Sequence, residues 1–484
     1  MSAGQNILSP SLRSLLIWGL VAATLVFIPL KITSSGYVAG GDARRHVGRA
    51  FAGQPFRDIV VMRPEYRVEH SSGWETLLAG LQKTTGWNAD ALMNFSVVAT
   101  LLAVFLAPLP WVRRPEAWLA ALLAFTVAVP DLMTRLTQAR PFLLTEGILI
   151  AILFAWSKPG KATPQKIILT TLGFAVSAWM HGARYLWVLP LAAFALAGAW
   201  RAAFALAGCW LAGVILGAGL TGHPVEFLRC TLFIAERVLH ENVPQWLLVG
   251  EFLPSGGEFP ALLLLALVYF WRRQTNGVAP ALTNSPAFWL MALAWVLGFK
   301  ADRWWADWGV PAALVWLTLQ FEEILPALAA EFSARRLLLC GLLAAPLFLH
   351  TTNDLDRRYT HTLDQVFLDA NDPTLQGWLP ARGGIFYNTQ MDFFYNTFYK
   401  NPRAGWRYAL GFEPALMPDD NLQTFRQIQR HPENLQNYEP WIAKMKPADR
   451  LVIYGNHQPP LPQLEWHNAA ANIWLGRLPA AKSL

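Results

Sequence analysis

The sequence predicts an α-helical polytopic membrane protein of about eleven transmembrane helices, with amphipathic helices in its first outer loop and a small C-terminal α/β extracytoplasmic domain. Three observations lead there. Hydrophobic residues make up 54% of the 484 and charged residues only 15%, against about a quarter charged in soluble proteins. Apolar runs of bilayer length, or close to it, recur to about residue 350. Beyond residue 351 the hydropathy falls and the chain stays polar and aromatic to its end.

The first apolar run, Leu15 to Leu30, is preceded by Arg13 and followed by no small-residue cleavage site, so it reads as a retained first span. The runs lie near 13–31, 92–110, 116–133, 142–157, 166–182, 184–200, 203–220, 259–272, 286–300, 308–325 and 335–351. Lys and Arg in short loops favour the cytoplasmic side. With the N-terminus inside, the inner loops carry Arg113 and Arg114, then Lys158, Lys161 and Lys166, then Arg201, then Arg272 and Arg273, then Arg335 and Arg336. The net charge of +7 therefore reads as topology; no basic stripe runs along the chain, which argues against a nucleic-acid partner. The same orientation places all 10 histidines, Asp42 and the region after residue 351 outside or at the outer membrane edge. Cys209 and Cys340 fall in apolar runs and Cys230 stands alone, a pattern that suggests neither a disulfide framework nor a thiolate metal site.

The first outer loop, 32–91, is too long for a connector. Ser72 and Glu75 have capping-box spacing, and Trp74, Leu77, Leu78 and Leu81 share one helical face, so an amphipathic helix lying on the membrane is expected. Residues 42–52 form a shorter expected partner, with Asp42 and His46 at i and i+4. The second long outer loop, 221–257, has Pro224 at a first helical position and Val225, Leu228, Leu232, Ala235 and Leu239 on one stripe. It ends in Pro254, Ser255, Gly256 and Gly257, and reads either as an interfacial helix with a lid-like loop or as a connector hugging the bilayer.

The expected domains are thus 1–351, which spans the membrane, and 352–484, an outer α/β domain. In the latter, Ile385 to Tyr387, Leu451 to Tyr454 and Asn472 to Leu475 read as strands, and 391–399, 420–430 and 435–445 as helices. Phe386, Tyr387, Asn388, Tyr395, Asn396 and Tyr399 suit stacking on sugars, and equally suit a small domain resting on a membrane.

Ionisable residues at a membrane edge are costly and are functional candidates. On the outer side they are Asp42 with Arg44, Arg45 and His46; Arg135, Arg140 and Glu146; His181, Arg184 and Tyr185; and Lys300, Asp302, Arg303 and Asp307 among Trp304, Trp305 and Trp308. Any one group alone also reads as a snorkelling anchor or a bundle-closing salt bridge. Gathered together, they make a cationic pocket at headgroup level, which suits a lipid-linked phosphate held by Arg forks. Glycosyl transfer from such a donor needs cations for the departing phosphate and one carboxylate to deprotonate the acceptor, with inversion at the anomeric carbon. Asp42 is the candidate base; Arg44, Arg45, His46, Arg140, Glu146, His181, Arg184, Tyr185, Lys300, Asp302 and Arg303 are the candidate substrate-binding residues. The leaving phosphate is already a weak base, so no general acid is required, and the sequence names no cofactor. A divalent metal ion stays open, with Asp42 and His46 as candidate ligands and a third from His70 or Asp302.

An outer-loop Asp soon after the first span, two amphipathic helices in that loop, about eleven spans and a C-terminal outer domain together resemble the GT-C superfamily of polyprenyl-phosphate-dependent glycosyltransferases. Its members include protein O-mannosyltransferases, lipid A aminoarabinose transferases and oligosaccharyltransferases. The likeness covers the architecture to about residue 351, and Asp42 is the one functional residue it carries across. Family members often show two adjacent acidic residues there; here Ala43 follows Asp42. Trp304, Trp305, Ala306 and Asp307 are similar to the WWD acceptor motif of oligosaccharyltransferases, which sits in their C-terminal domain rather than between two spans. The resemblance implies a multi-pass enzyme of the bacterial inner membrane, N-terminus cytoplasmic and C-terminal domain periplasmic. It would move a sugar from a polyprenyl-phosphate-linked donor to a glycan, lipid or protein acceptor, with membrane lipids as its other partners. The alternatives are a transporter or flippase of a lipid-linked or anionic substrate, against which the lack of internal repeats speaks, and a polytopic scaffold.

Overall fold

The computed structural model of the chain describes residues 9–66, 68–157, 162–240, 253–254, 258–277, 279–330 and 333–479. Among these the chain is mostly helical, with a small mixed sheet near the C-terminus. In order, the helices are α1 (Pro10–Ser34), α2 (Asp42–Ala52), α3 (Ser72–Thr85), α4 (Ala89–Leu106), α5 (Pro115–Ala128), α6 (Asp131–Leu136), α7 (Phe142–Ser157), α8 (Pro164–Met180), α9 (Val188–Leu196), α10 (Trp200–Gly219), α11 (Pro224–His240), α12 (Phe259–Asn276), α13 (Pro286–Gly298), α14 (Asp302–Trp304), α15 (Val310–Leu328), α16 (Ala334–Thr352), α17 (Met391–Lys400), α18 (Asp419–Arg430) and α19 (Glu439–Ile442). Each of the expected apolar runs is helical. Four helices, Ser11–Ser34, Ala89–Leu106, Trp200–Gly219 and Ala334–Thr352, are long and apolar enough to cross a membrane. Polar caps set the starts: the side chains of Ser9, Thr163, Ser285 and Ser333 accept from Leu12, Lys166, Phe288 and Arg336 main-chain N–H groups, and each leaves one fewer helical donor orphaned.

The chain divides into two compact units that cut across sequence order. The first draws on Met1–Val38, Asn94–Gly217 and Glu251–Leu363, the second on Ala39–Met93, Ala218–Gly250 and Asp364–Leu484. The first outer loop therefore belongs with the C-terminal segment rather than with the span-rich part. In the span-rich unit α1 packs on α16, α5 on α15 and α16, and α13 on α9. Several cations read as topology signals also clamp helix ends there. Arg336 grips the buried Glu116 through Nε at 2.6 Å and Nη2 at 3.1 Å, and Arg113 pairs with Glu323 at 2.6 Å. Lys158 and Lys161 lie outside the described residues.

The second unit is built on a five-stranded sheet. Its strands are β1 (Ile385–Tyr387), β2 (Arg407–Tyr408), β3 (Arg450–Tyr454), β4 (Glu465–Ala470) and β5 (Ile473–Arg477), in the order β2-β1-β3-β5-β4. β1 runs parallel to both β2 and β3, while β5 is antiparallel to β3 and β4. β1, β3 and β5 match the expected strands. β2 is too short to show a period, and β4 is an edge strand without a buried face, so neither carries the alternation that marks a half-buried strand. The helix expected over 435–445 is a 3-10 turn, Leu435–Tyr438, followed by α19, because Pro440 fits only a first turn.

The first outer loop completes this sheet. Val60 bridges Tyr408 in parallel; Val61 N–H donates to Tyr408 O at 2.8 Å and Tyr408 N–H to Ile59 O at 2.9 Å. Ile59 and Val60 join a core with Phe386, Phe394, Tyr408 and Phe412. Two expectations change here. Trp74 and Leu78 of α3 are 1% and 0% exposed, so this face is covered by protein rather than laid on a membrane; α2 is what it packs against. Among the described side chains of α11 Phe227, Cys230 and Thr231 are buried, while Val225 and Leu232 of the expected stripe are exposed; the side chains of Ala235 and Leu239 lie outside the described residues. The lid-like stretch with Ser255, Gly256 and Gly257 lies outside the described residues.

A Cβ added at Gly411 would sit 2.7 Å from Val60 Cγ1. Gly411→Ala should therefore destabilise the second unit by about 1–3 kcal/mol, read as a lower melting temperature and faster proteolysis of the 55–66 segment, whereas Gly80→Ala, inside α3 with nothing within 4 Å, should lower the melting temperature not at all and should not speed proteolysis.

Candidate functional site

In the second unit the site is organised by α2. Gly41 precedes it at φ 57°, a conformation that a side chain disfavours, and Asp42 takes the first helical position without a side-chain cap. Arg44, Arg45 and His46 are each 1% exposed. Arg44 donates through Nε to Ala39 O at 3.1 Å and through Nη1 to the side-chain carbonyls of Gln365 and Asn396, and its guanidinium lies 5.0 Å from the Phe367 ring. Arg45 pairs with Asp42 at 3.3 Å and Glu69 at 3.0 Å and stacks 4.1 Å from the Phe412 ring centroid. These side chains are enclosed within the unit and help to build it from inside. Asp42 is the member of the group that faces outward, with 31% of its side chain exposed.

His46 Nε2 lies 3.1 Å from Arg45 Nη2. Arginine can only donate, so Nε2 accepts and Nδ1 carries the proton, which it offers to Glu75 Oε1 at 3.4 Å. Glu75 also faces Arg49 Nε at 3.6 Å. Glu69 accepts from Tyr66 Oη at 3.0 Å and pairs with His70 Nδ1 at 3.0 Å. Sequence reasoning missed both glutamates as partners of α2. Glu75 reads as the capping-box partner of Ser72, but Ser72 is the first helical residue, the cap position falls on Ser71, which gives no side-chain cap, and Glu75 turns across to α2 instead.

The electrostatics follow from this enclosure. Burial, then the Arg45 charge, holds His46 well below its ordinary value, in keeping with a neutral ring. Burial alone would raise Glu69, but Arg45 and then His70 hold it far below the usual carboxylate range. Burial, reinforced by the Glu69 charge, pushes Glu75 up to about 8 against the pull of Arg45 and Arg49. Burial works against the Arg45 charge, yet Asp42, Glu69 and Glu75 more than offset it. Asp42 and His46 do not open a metal site: among the described residues no group of three His, Cys, Asp or Glu side chains is placed to hold an ion.

The span-rich unit holds a second charged group. Asp307, 2% exposed, sits in a π-helical turn, Trp305–Gly309, of the kind often found at functional positions. It pairs with Arg135 and, at 2.9 Å, with Arg303 Nε. The charges that act on the buried Glu146 of α7 are those of Asp307, Arg135, Arg140 and Arg303. Ala139, before Arg140, has φ 53°, a left-handed backbone rare outside glycine and a form of local strain that clusters at functional sites. Around them stand Phe142 against His181 at 5.2 Å and against Trp308 at 5.9 Å. The structure thus brings Arg140, Glu146 and Arg303 together, adds Arg135 and Asp307, and places His181 one ring away. Tyr185 and Lys300 are exposed and Asp302 is half-buried at the start of α14; the Arg184 side chain lies outside the described residues.

Glu75 supplies a pH test. Its folded value of about 8 exceeds its ordinary 4.5, so its contribution to stability is full below about 4.5 and is lost as pH rises through about 8. Melting of the purified protein should fall over that window more steeply than that of Glu75→Gln; identical profiles would contradict the assignment.

No protein-family model matches the chain, and no curated protein matches it in sequence.

Proposed function

We propose that the chain is an integral membrane glycosyltransferase that moves a sugar from a polyprenyl-phosphate-linked donor to an acceptor, with Asp42 as the acceptor-activating base. In this reading the apolar helices form about eleven spans of a bacterial inner membrane, the N-terminus is cytoplasmic and the C-terminal segment periplasmic. The observation that carries it is the placement of Asp42. It is a partly exposed carboxylate at the head of α2, oriented by a guanidinium that is itself enclosed and tied to Glu69. A base of this kind is preorganised, because its support cannot swing away with solvent.

The step balances without a further reagent. The Asp42 carboxylate takes the acceptor proton, the acceptor oxygen or nitrogen forms a bond to the anomeric carbon, and the bond from that carbon to the phosphate oxygen breaks on the opposite face. The electron pair leaves with the polyprenyl phosphate, so the configuration inverts. In its own right, the span-rich unit supports a phosphate-bearing ligand: the charges of Arg135, Arg140 and Arg303 all act on one buried position, Glu146, and arginine forks fit phosphate oxygens.

Transfer from a polyprenyl-phosphate sugar, assayed with protein in lipid nanodiscs, tests the proposal. Asp42→Asn that inserts and melts like the parent should lose about 10²–10⁴-fold in rate; full activity would remove Asp42 as the base. Flux of the lipid-linked donor across vesicles with no sugar transfer would replace the reading with a flippase.

A further inference from the structure

Between α2, α3 and the 55–69 segment, within the second unit, lies a cleft of about 440 Å³, inside the range of about 300–1,000 Å³ usual for small-molecule sites. We propose that this cleft binds a neutral, hydroxyl-rich ligand of the saccharide class and serves as the subsite for the part of the acceptor away from its reacting hydroxyl; its role as acceptor subsite rests on the transfer reading above, its binding does not.

The lining decides the ligand class. Phe56, Met62, Val68 and Ala79 give apolar wall, while Arg49, Tyr66, Glu69, Ser72 and Glu75 give polar wall. Sugars present both kinds of surface, C–H faces and hydroxyls. Guanidinium and carboxylate groups line the same cleft, so a phosphate would meet Glu69 and an ammonium ion would meet Arg49 and Arg57. A neutral polyol avoids both penalties and can accept from the first kind of group and donate to the second. Ser72 Oγ has no hydrogen-bond partner among the described residues. Buried polar atoms ordinarily find partners, and a ligand hydroxyl in the cleft that Ser72 lines would supply one. Glu75, carrying a proton near neutral pH, can both donate to and accept from a hydroxyl, whereas ionised Glu69 accepts only. The cleft is also connected to Asp42: Glu69 holds Arg45, and Arg45 holds Asp42. A ligand that hydrogen-bonds Glu69 therefore loads the same salt bridge that orients the proposed base.

Saturation-transfer NMR on the full chain in nanodiscs, without donor, tests the binding. The probes are methyl glucoside, methyl galactoside and N-acetylglucosamine, with inorganic phosphate and ethanolamine as charged controls. A neutral glycoside should bind, about three- to tenfold more weakly to Ser72→Ala, the loss expected for one hydrogen bond, and not measurably to Ala79→Leu, which fills the cleft. Binding by a charged control alone, by no probe, or by a glycoside indifferent to both variants would overturn the inference. The transfer assay separates the two claims. Glycoside binding without any transfer keeps the site and removes the transfer reading, and an Ala79→Leu protein that transfers at the parent rate removes the acceptor role while leaving that reading in place.

Discussion

A fully enclosed guanidinium must be matched by hydrogen-bond acceptors, and in this protein Arg45 meets that requirement with carboxylates. Its partners come from different stretches of chain: Asp42 one turn back, Glu69 beyond the 53–66 segment, and the Phe412 ring from near the C-terminal sheet. Removing one partner from a buried pair typically costs about 3–5 kcal/mol, so α2, the loop that follows it and the C-terminal segment stand or fall together. Arg44 repeats the device with neutral acceptors from Gln365 and Asn396. The second unit is consequently one body assembled from three pieces of sequence, and its polar interior is the means of assembly.

That assembly explains what could and could not be read in the sequence. Local signals were legible. The helix at 42–52 appears with those bounds, the apolar runs are helices, and three short apolar alternations are strands. What local pattern cannot carry is the identity of distant partners. Arg44 and Gln365 are 321 residues apart, and nothing in either neighbourhood announces the other. The same gap misled the reading of α3: Trp74 and Leu78 share a face as expected, but a lipid surface and a protein surface demand the same stripe. On α11 the stripe was legible and its direction was not, because burial of Phe227 and Cys230 in the core turns Val225 and Leu232 outward. For the site, residue types pointed to Asp42 and its neighbours, and only packing separated the exposed carboxylate from three side chains that serve the interior.

The span-rich unit shows the complementary economy. Two of its buried carboxylates, Glu146 and Asp307, lie among three guanidiniums, and the π-helical turn at Trp305–Gly309 carries Asp307 beside Trp308, whose ring meets Phe142 and Trp187 edge to face. A charged group in so apolar a setting is tolerated only when it is matched, and here Arg135 and Arg303 pair with Asp307.

Native mass spectrometry of the protein extracted from its membrane tests the proposed polyprenyl-phosphate partner most directly. A polyprenyl phosphate, with or without its sugar, retained by the parent and depleted when Arg140 and Arg303 are neutralised, is the predicted result. Bulk phospholipid alone, unchanged by those substitutions, would contradict it.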